Sequence, residues 1–222
     1  MSRAATFAGL AKRAPGVRHG ALRLGFDLQP GMTVGLYGGS FNPAHEGHAH
    51  VAETAMTQLG LDRVIWLVSP QNPLKSNHET APLAERLAGA ARMAKGPGMI
   101  ISDAESRIGA QYTLDTVTFL RARFPRVHFV WIMGADSLAS FHRWKGWTQI
   151  MRTLPVAVVS RPWAALKARG SPTARRFAAA RHPAREGPIL ARMTAPAWVY
   201  LRGPFNFASS TALRERLRQG DR

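Results

Sequence analysis

A doubly wound α/β domain is what this 222-residue chain predicts, and three observations carry that reading. Apolar runs of strand length recur along the chain: 32–37, 63–68, 99–101, 127–133, 154–159 and 197–201. They are apolar almost throughout, as strands are when a mostly parallel sheet is covered by helices on both faces. Segments with helical spacing separate them, at 46–59, 82–95 and from Tyr112-Thr113 to just before Pro125. A closing helix is expected over about 210–218. The expected architecture is therefore a single domain built on a Rossmann-like sheet.

The first strand, Met32-Thr33-Val34-Gly35-Leu36-Tyr37, runs straight into Gly38-Gly39-Ser40-Phe41-Asn42-Pro43-Ala44-His45-Glu46-Gly47-His48. Val51, Ala52, Ala55, Met56 and Leu59 then place apolar side chains on one face of a helix. The loop thus joins a strand's carboxyl end to a helix's amino end, where α/β sheets keep their ligands. Unpaired N–H groups and the helix dipole favour an anion there, and His45 and His48 add two imidazoles. The loop reads as a phosphate site. Its glycines have the wrong spacing for G-x-G-x-x-G, and no lysine between Gly31 and His50 supplies a P-loop. H-E-x-x-H fails as well, because Ala49 stands where the second histidine is needed.

Composition narrows the class. Hydrophobic residues at 45% suit a globular core, and no run approaches the roughly 20 apolar residues of a membrane helix. The amino terminus lacks the apolar centre of a signal peptide, and Ser2 is its only serine, which argues against a transit peptide. Zero cysteines remove disulfides, thiolate nucleophiles and cysteine-based zinc sites, and are compatible with a cytoplasmic protein. The net charge of +17 favours anionic partners.

That charge is unevenly placed. Residues 1–30 carry Arg3, Lys12, Arg13, Arg18 and Arg23 against Asp27 alone. Broken by Pro15, Gly16, Gly20 and Pro30, they read as a basic, weakly ordered extension. Between 161 and 192, eight basic residues face Glu186 alone, and 163–195 reads as a variable basic insert. An arginine-rich solvated surface and a dedicated polyanion site both account for such segments.

The motif G-G-S-F-N-P-x-H-x-G-H resembles the signature of the nucleotidyltransferase superfamily that shares H-x-G-H with class I aminoacyl-tRNA synthetases. Further segments narrow the resemblance to nicotinate-mononucleotide adenylyltransferases, bacterial enzymes of NAD synthesis. These are Pro70/Pro73/Lys75, then Asp103-Ala104-Glu105-Ser106-Arg107 with Tyr112-Thr113-Leu114-Asp115-Thr116. Gly134-Ala135-Asp136 with Trp144 and Trp147 follows, then Ser160-Arg161-Pro162, and Ser209-Ser210-Thr211 with Arg214. They stand in the family's order and span about 32–218; Ser40 and Asn42 replace the family's frequent Thr and Asp. Residues 31–222 are then the nucleotidyltransferase domain.

The resemblance implies adenylyl transfer from ATP to nicotinate mononucleotide, giving deamido-NAD⁺ and pyrophosphate. It implies that His45, His48 and Arg214 serve catalysis by contacting ATP phosphates, with Gly38, Gly39, Ser40, Phe41, Lys75, Gly134, Asp136, Ser209, Ser210 and Thr211 completing the nucleotide site. Tyr112, Thr113 and Trp144 would hold the pyridine mononucleotide by stacking on its ring and offering backbone N–H groups to its carboxylate. Taken alone, Ser209-Ser210-Thr211 is equally a helix cap, and Asp136 is either a cap or a ligand contact. Trp131, inside the most apolar strand, is expected in the core, whereas Arg143 and Lys145 give Trp144 a polar neighbourhood. His19, His50, His78, His128, His142 and His182 receive no role. Mg²⁺ is expected as the cofactor, held by phosphates and water with no protein ligand named. The partners are ATP and nicotinate mononucleotide; no membrane is involved, and homo-oligomerisation is left open.

Two rival readings remain at this point. One is an adenylyltransferase with nicotinamide mononucleotide or phosphopantetheine as acceptor, against which Tyr112-Thr113 and Trp144 speak. The other is a nucleic-acid-binding protein on the same fold; it accounts for the charge but has no need of two phosphate cradles.

Overall fold

The computed structural model describes residues 24–70, 80–161 and 164–203. The expected closing helix at 210–218 lies outside these residues. Seven strands form one sheet: β1 Thr33–Gly39, β2 Arg63–Val68, β3 Met99–Ser102, β4 His128–Gly134, β5 Val156–Val159, β6 Arg181–His182 and β7 Trp198–Leu201. Their order is β3-β2-β1-β4-β5-β7-β6, and every pairing is parallel. The sequence predicts six of these strands; β6, at two residues, is too short to show a pattern.

Helices cover both faces of the sheet. Eight α-helices are described: α1 Glu46–Leu59, α2 Leu83–Met93, α3 Ala104–Arg107, α4 Thr113–Arg123, α5 Ala135–Ser140, α6 Trp147–Thr153, α7 Ala165–Arg169 and α8 Pro172–Arg176. α1 has the bounds that periodicity predicts. It buries Val51, Ala52, Ala55 and Leu59, and Gly60 ends it in the left-handed conformation, donating to Met56 O and Thr57 O. α3 and α5–α8, of four to seven residues, are too short to repeat an apolar position twice.

The strands are buried on both sides, and each sheet face has its own core. Leu36, Leu67, Val117, Leu120, Trp131, Leu138, Phe141 and Val158 belong to one; Tyr37, Val51, Val64, Trp66, Ile132, Val159, Leu190 and Val199 belong to the other. The alternation Leu36/Tyr37 and Trp131/Ile132 follows from the two-residue period of a strand.

Packing adds detail to two expected segments. Within the segment expected as an extension, Leu24 and Leu28 are buried in the first core and Ser102 Oγ donates to Leu24 O at 2.8 Å. Phe26 also packs on Phe124, ring centroids 6.1 Å apart. Deleting residues 1–22 should therefore leave activity and melting temperature close to those of the full chain. Deletion through residue 30 should cost about 2–5 kcal/mol for each buried leucine lost, read as a fall in denaturation midpoint.

Residues 164–195 of the expected basic insert pack within the domain. They supply α7, α8, edge strand β6 and a 3-10 segment, Ala184–Arg192, whose Leu190 and Ala191 are buried. Apolar Ala168, Ala174, Phe177 and Leu190 do the folding, while Lys167, Arg169, Arg175, Arg176, Arg181, Arg185 and Arg192 stay exposed. The basic run is the solvated face of a packed segment.

Candidate active site

Sheet order locates the crevice. From β1 the chain passes outward to β2 and β3, then returns to lay β4 on the other side of β1. Helices on the two sides of this switch point leave a cleft beyond the carboxyl ends of β1 and β4. β1 ends at Gly39 and β4 at Gly134, so the H-x-G-H loop and Gly134-Ala135-Asp136 meet at that cleft.

Loop geometry follows from its residues. Phe41 takes φ +46°, and its ring is buried edge-on to His48, centroids 5.0 Å apart. The Asn42–Pro43 peptide is cis. His45 is the N-cap of α1: its Nδ1 accepts the Gly47 N–H at 3.0 Å, and its carbonyl accepts the His48 N–H at 2.8 Å. His48 Nδ1 in turn accepts the His45 N–H at 3.3 Å. Each Nδ1 being an acceptor, each neutral ring carries its proton on Nε2. The rings lie 3.9 Å apart. Two imidazole N–H donors thus sit at a helix amino end.

Burial keeps His45 neutral: its pKa falls to about 4, first through desolvation and then through the Arg161 guanidinium, with Asp136 opposing. Arg161, two residues after β5, donates from Nη2 to Gly47 O at 3.1 Å and pairs through Nε with Asp136 Oδ1 at 3.4 Å. Asp136 itself is exposed and lies in the first turn of α5; the N-cap is Gly134, which removes the cap reading. A Cβ on Gly134 would run into the Asp136 carboxylate and come within 3.0 Å of Arg161 Nε. Burial also drives the Tyr37 hydroxyl well above its ordinary range, against the opposing Arg161 charge. Its position after β5 gave Arg161 no signal beyond its Ser-Arg-Pro segment.

The segments of the second expected cluster are both described. Tyr112 is the N-cap of α4, and its N–H donates to Asp115 Oδ2 at 3.1 Å. Lys145 Nζ lies 4.2 Å from the Tyr112 ring centroid. Gly146, at φ +68°, leaves no room for a Cβ against Leu114 Cδ2, 2.5 Å away. Together these contacts bring the segment after β4 against the start of α4. Trp144 is half-buried, its ring 5.0 Å from Phe141 and 6.4 Å, edge-on, from fully buried Trp131. Trp131 is a core residue, as expected, and its ring also closes the space beside Gly38, where a Cβ would approach to 2.5 Å. Gly38, Gly39 and Ser40 are half-buried along the loop. Lys75, Ser209, Ser210, Thr211 and Arg214 lie outside the described residues, so one jaw of the expected site is described.

Glu105 emerges as a buried carboxyl that sequence reasoning placed in a motif without a role. It accepts from Thr116 Oγ1 at 3.0 Å, and burial pushes its pKa up to about 7 despite that bond. A raised carboxyl pKa means that the folded state holds a proton which the unfolded chain releases from about pH 4.5 upward. Glu105 therefore costs stability progressively from pH 4.5 to about 7, and fully above that. Glu105→Gln, which mimics the protonated form, should raise the melting temperature at pH 8 and change it little at pH 5. Equal shifts at both pH values would refute the buried-charge account.

Comparison with known proteins agrees with this architecture. Residues 36–216 match the Cytidylyltransferase-like family. The chain is 75% identical over 189 residues to a protein of Caulobacter sp. (strain K31) named probable nicotinate-nucleotide adenylyltransferase, covering 85% of this chain and all of that one. A protein of the same name from Methylorubrum extorquens is 52% identical, with 83% of this chain and all of that one covered. Among solved structures, Plasmodium falciparum nicotinic acid mononucleotide adenylyltransferase complexed with NaAD shares the fold at TM-score 0.63 and 14% identity, covering 84% of each chain. No helix among the described residues is long and apolar enough to cross a membrane. On its sequence identity to full-length relatives, this chain belongs to the nicotinate-nucleotide adenylyltransferase family.

Proposed function

We propose that this protein transfers the adenylyl group of ATP to nicotinate mononucleotide, forming deamido-NAD⁺ and releasing pyrophosphate in NAD biosynthesis. The observation that carries the proposal is the pair of imidazoles, His45 and His48, at the amino end of α1 beside the sheet's switch point. The names of the relatives and the NaAD-bound neighbour support the choice of acceptor.

The mononucleotide phosphate attacks the α-phosphorus of ATP; the new P–O bond forms as the bond to the β-phosphate oxygen breaks. The nucleophile is already anionic and pyrophosphate leaves readily, so neither a general base nor a covalent intermediate is needed. Catalysis then consists of alignment and stabilisation of developing charge. His45 and His48 donate from Nε2 to phosphate oxygens, and the N–H groups of Gly38–Phe41 line the approach. Gly134 and Asp136 border the nucleotide side, and Ser209, Ser210, Thr211, Arg214 and Lys75 are proposed as further phosphate contacts on the strength of their motifs. Tyr112, Thr113 and Trp144 hold the pyridine nucleotide.

Among the described residues, no group of three or more His, Asp or Glu side chains is placed to hold a metal. Mg²⁺ is proposed as the cofactor, held mainly by the triphosphate and water, where it would neutralise charge. A reaction drawing on ATP and a mononucleotide supports a cytoplasmic location. Pyrophosphate release measured with ATP and, in turn, nicotinate mononucleotide, nicotinamide mononucleotide and phosphopantetheine tests the proposal. Release with the first acceptor alone supports it, and absence of release with that acceptor overturns it.

A further inference from the structure

Arg86 lies on the buried stripe of α2, one turn before Ala90, and is only 3% exposed. It lines a cavity of about 360 Å³ between α2 and the phosphate loop, together with Phe41, Asn42 and Pro43. Its guanidinium makes four bonds, all to backbone carbonyls: Nε to Ala81 O at 2.8 Å, Nη1 to Ser40 O at 2.9 Å and Ser69 O at 2.7 Å, and Nη2 to Pro70 O at 2.9 Å. Among the described residues, no ion pair joins it to a carboxylate. Desolvation accordingly works against its charge.

Those four carbonyls belong to three chain segments that have no helix or strand of their own to fix them. Ser40 is in the phosphate loop, Ser69 and Pro70 follow β2, and Ala81 leads into α2. Two further bonds close the same corner: the Ser69 N–H donates to Gly39 O at 3.0 Å, and the Ala81 N–H donates to Asn42 Oδ1 at 3.2 Å. A planar fork reaches carbonyls in several directions at once, which an ammonium on a flexible stem does not. Removing it would strand acceptors next to the loop that must aim two imidazoles. A buried cation with no carboxylate partner also raises the positive potential there, a cost to the empty protein that an arriving polyphosphate offsets.

We infer that Arg86 is a positioning residue for nucleotide phosphates: its guanidinium clamps the Ser40, Ser69–Pro70 and Ala81 carbonyls so that the phosphate loop is set before substrate arrives. The inference deepens the adenylyltransferase reading and rests on it for its kinetic arm. Binding of ATP, measured by calorimetry, does not.

The test compares the wild-type protein with Arg86→Lys and Arg86→Ala. In Arg86→Lys, kcat is expected to fall on the order of 100-fold, as small misplacements of reacting groups do, with weakened ATP binding and a folded protein by circular dichroism. In Arg86→Ala, millimolar guanidinium should restore part of the lost turnover and ATP affinity, and ammonium should not. A folded Arg86→Lys with wild-type kcat and wild-type ATP affinity overturns the inference and leaves the adenylyltransferase reading standing. A wild-type protein that binds ATP without transferring it overturns that reading, and the ATP affinities of the variants then decide the role of Arg86. Should Arg86→Ala fail to fold, Arg86→Lys settles the matter alone.

Discussion

His48→Ala should lower kcat by about 10²–10³, the usual cost of losing one preorganised donor aimed at developing charge. A modest fall in melting temperature is expected from the loss of its bond from the His45 N–H and of its ring contact with Phe41. His45 requires a different control. As the N-cap of α1, its replacement by Ala would also cost about 1 kcal/mol of helix stability. Asn caps helices well, so His45→Asn keeps the helix start and removes only the imidazole N–H. If phosphate contact is the role of His45, Asn and Ala variants will lose turnover alike while differing in stability. Near-wild-type turnover in His48→Ala, or in a stable His45→Asn, would refute the phosphate assignment. Acid should matter as well. The folded pKa of His45, about 4, lies below the ordinary 6.5, so the unfolded chain takes up a proton between those values and the folded chain does not. Stability carried by neutral His45 is complete above about pH 6.5 and is lost as pH falls toward 4. In His45→Asn, that part of the acid sensitivity should disappear.

The phosphate loop was legible in the sequence because its signals are local. An apolar run stops, glycines and a proline mark a turn, and a helical stripe begins at Val51, so strand end, loop and helix start follow without knowledge of the rest. Gly134-Ala135-Asp136 was legible for the same reason, at the end of the most apolar strand. What stayed hidden depends on distant packing. Arg86 reads as one more arginine on an amphipathic helix; only its place on the stripe with Ala90 hints at burial, and the carbonyls that hold it come from as far as Ser40. Leu24 and Leu28 lie among glycines and prolines with no period, so nothing local announces that they enter the core. Between 163 and 195 the arginines dominate the composition, and helices of about five residues are too short to repeat Ala168, Ala174 and Phe177 as a stripe.

One arrangement links the two halves of the cleft. Trp131 fills the space that a Cβ on Gly38 would need and stands edge-on to Trp144, so the back wall of the phosphate loop supports the indole proposed to stack on the pyridine ring. The motif glycine and the aromatic site are thereby coupled through one core side chain.

The acid acceptor should be preferred over the amide by orders of magnitude in kcat/KM, with Trp144 mattering for the pyridine nucleotide more than for ATP. α4 begins at Thr113, and the first N–H groups of a helix lack intrahelical acceptors. Lys145 stands 4.2 Å from the Tyr112 ring at that same end, which adds positive potential. A ring carboxylate placed there gains charge-assisted bonds. The neutral amide offers an uncharged oxygen, or turns its own NH₂ donors against N–H donors, and a polar site left with unpaired donors discriminates by up to about 10⁴–10⁵. Stacking on indole would serve both nucleotides, since both rings are cationic, so on the proposed reading Trp144 is expected to set affinity and the α4 end to set the choice between them. Trp144→Phe should raise KM for nicotinate mononucleotide by about tenfold or less, the scale of a cation–π contact worth up to about 1 kcal/mol at a partly exposed site. The KM for ATP should move much less. Trp144→Ala should raise the mononucleotide KM further and also lower the melting temperature, because the indole packs on Phe141 and Trp131. Lys145→Met should narrow the gap between acid and amide by weakening the acid alone. If nicotinamide mononucleotide is used with equal efficiency, the acceptor assignment falls while adenylyl transfer itself stands. If Lys145→Met weakens both acceptors equally, the ammonium serves affinity, and discrimination rests on the backbone N–H groups.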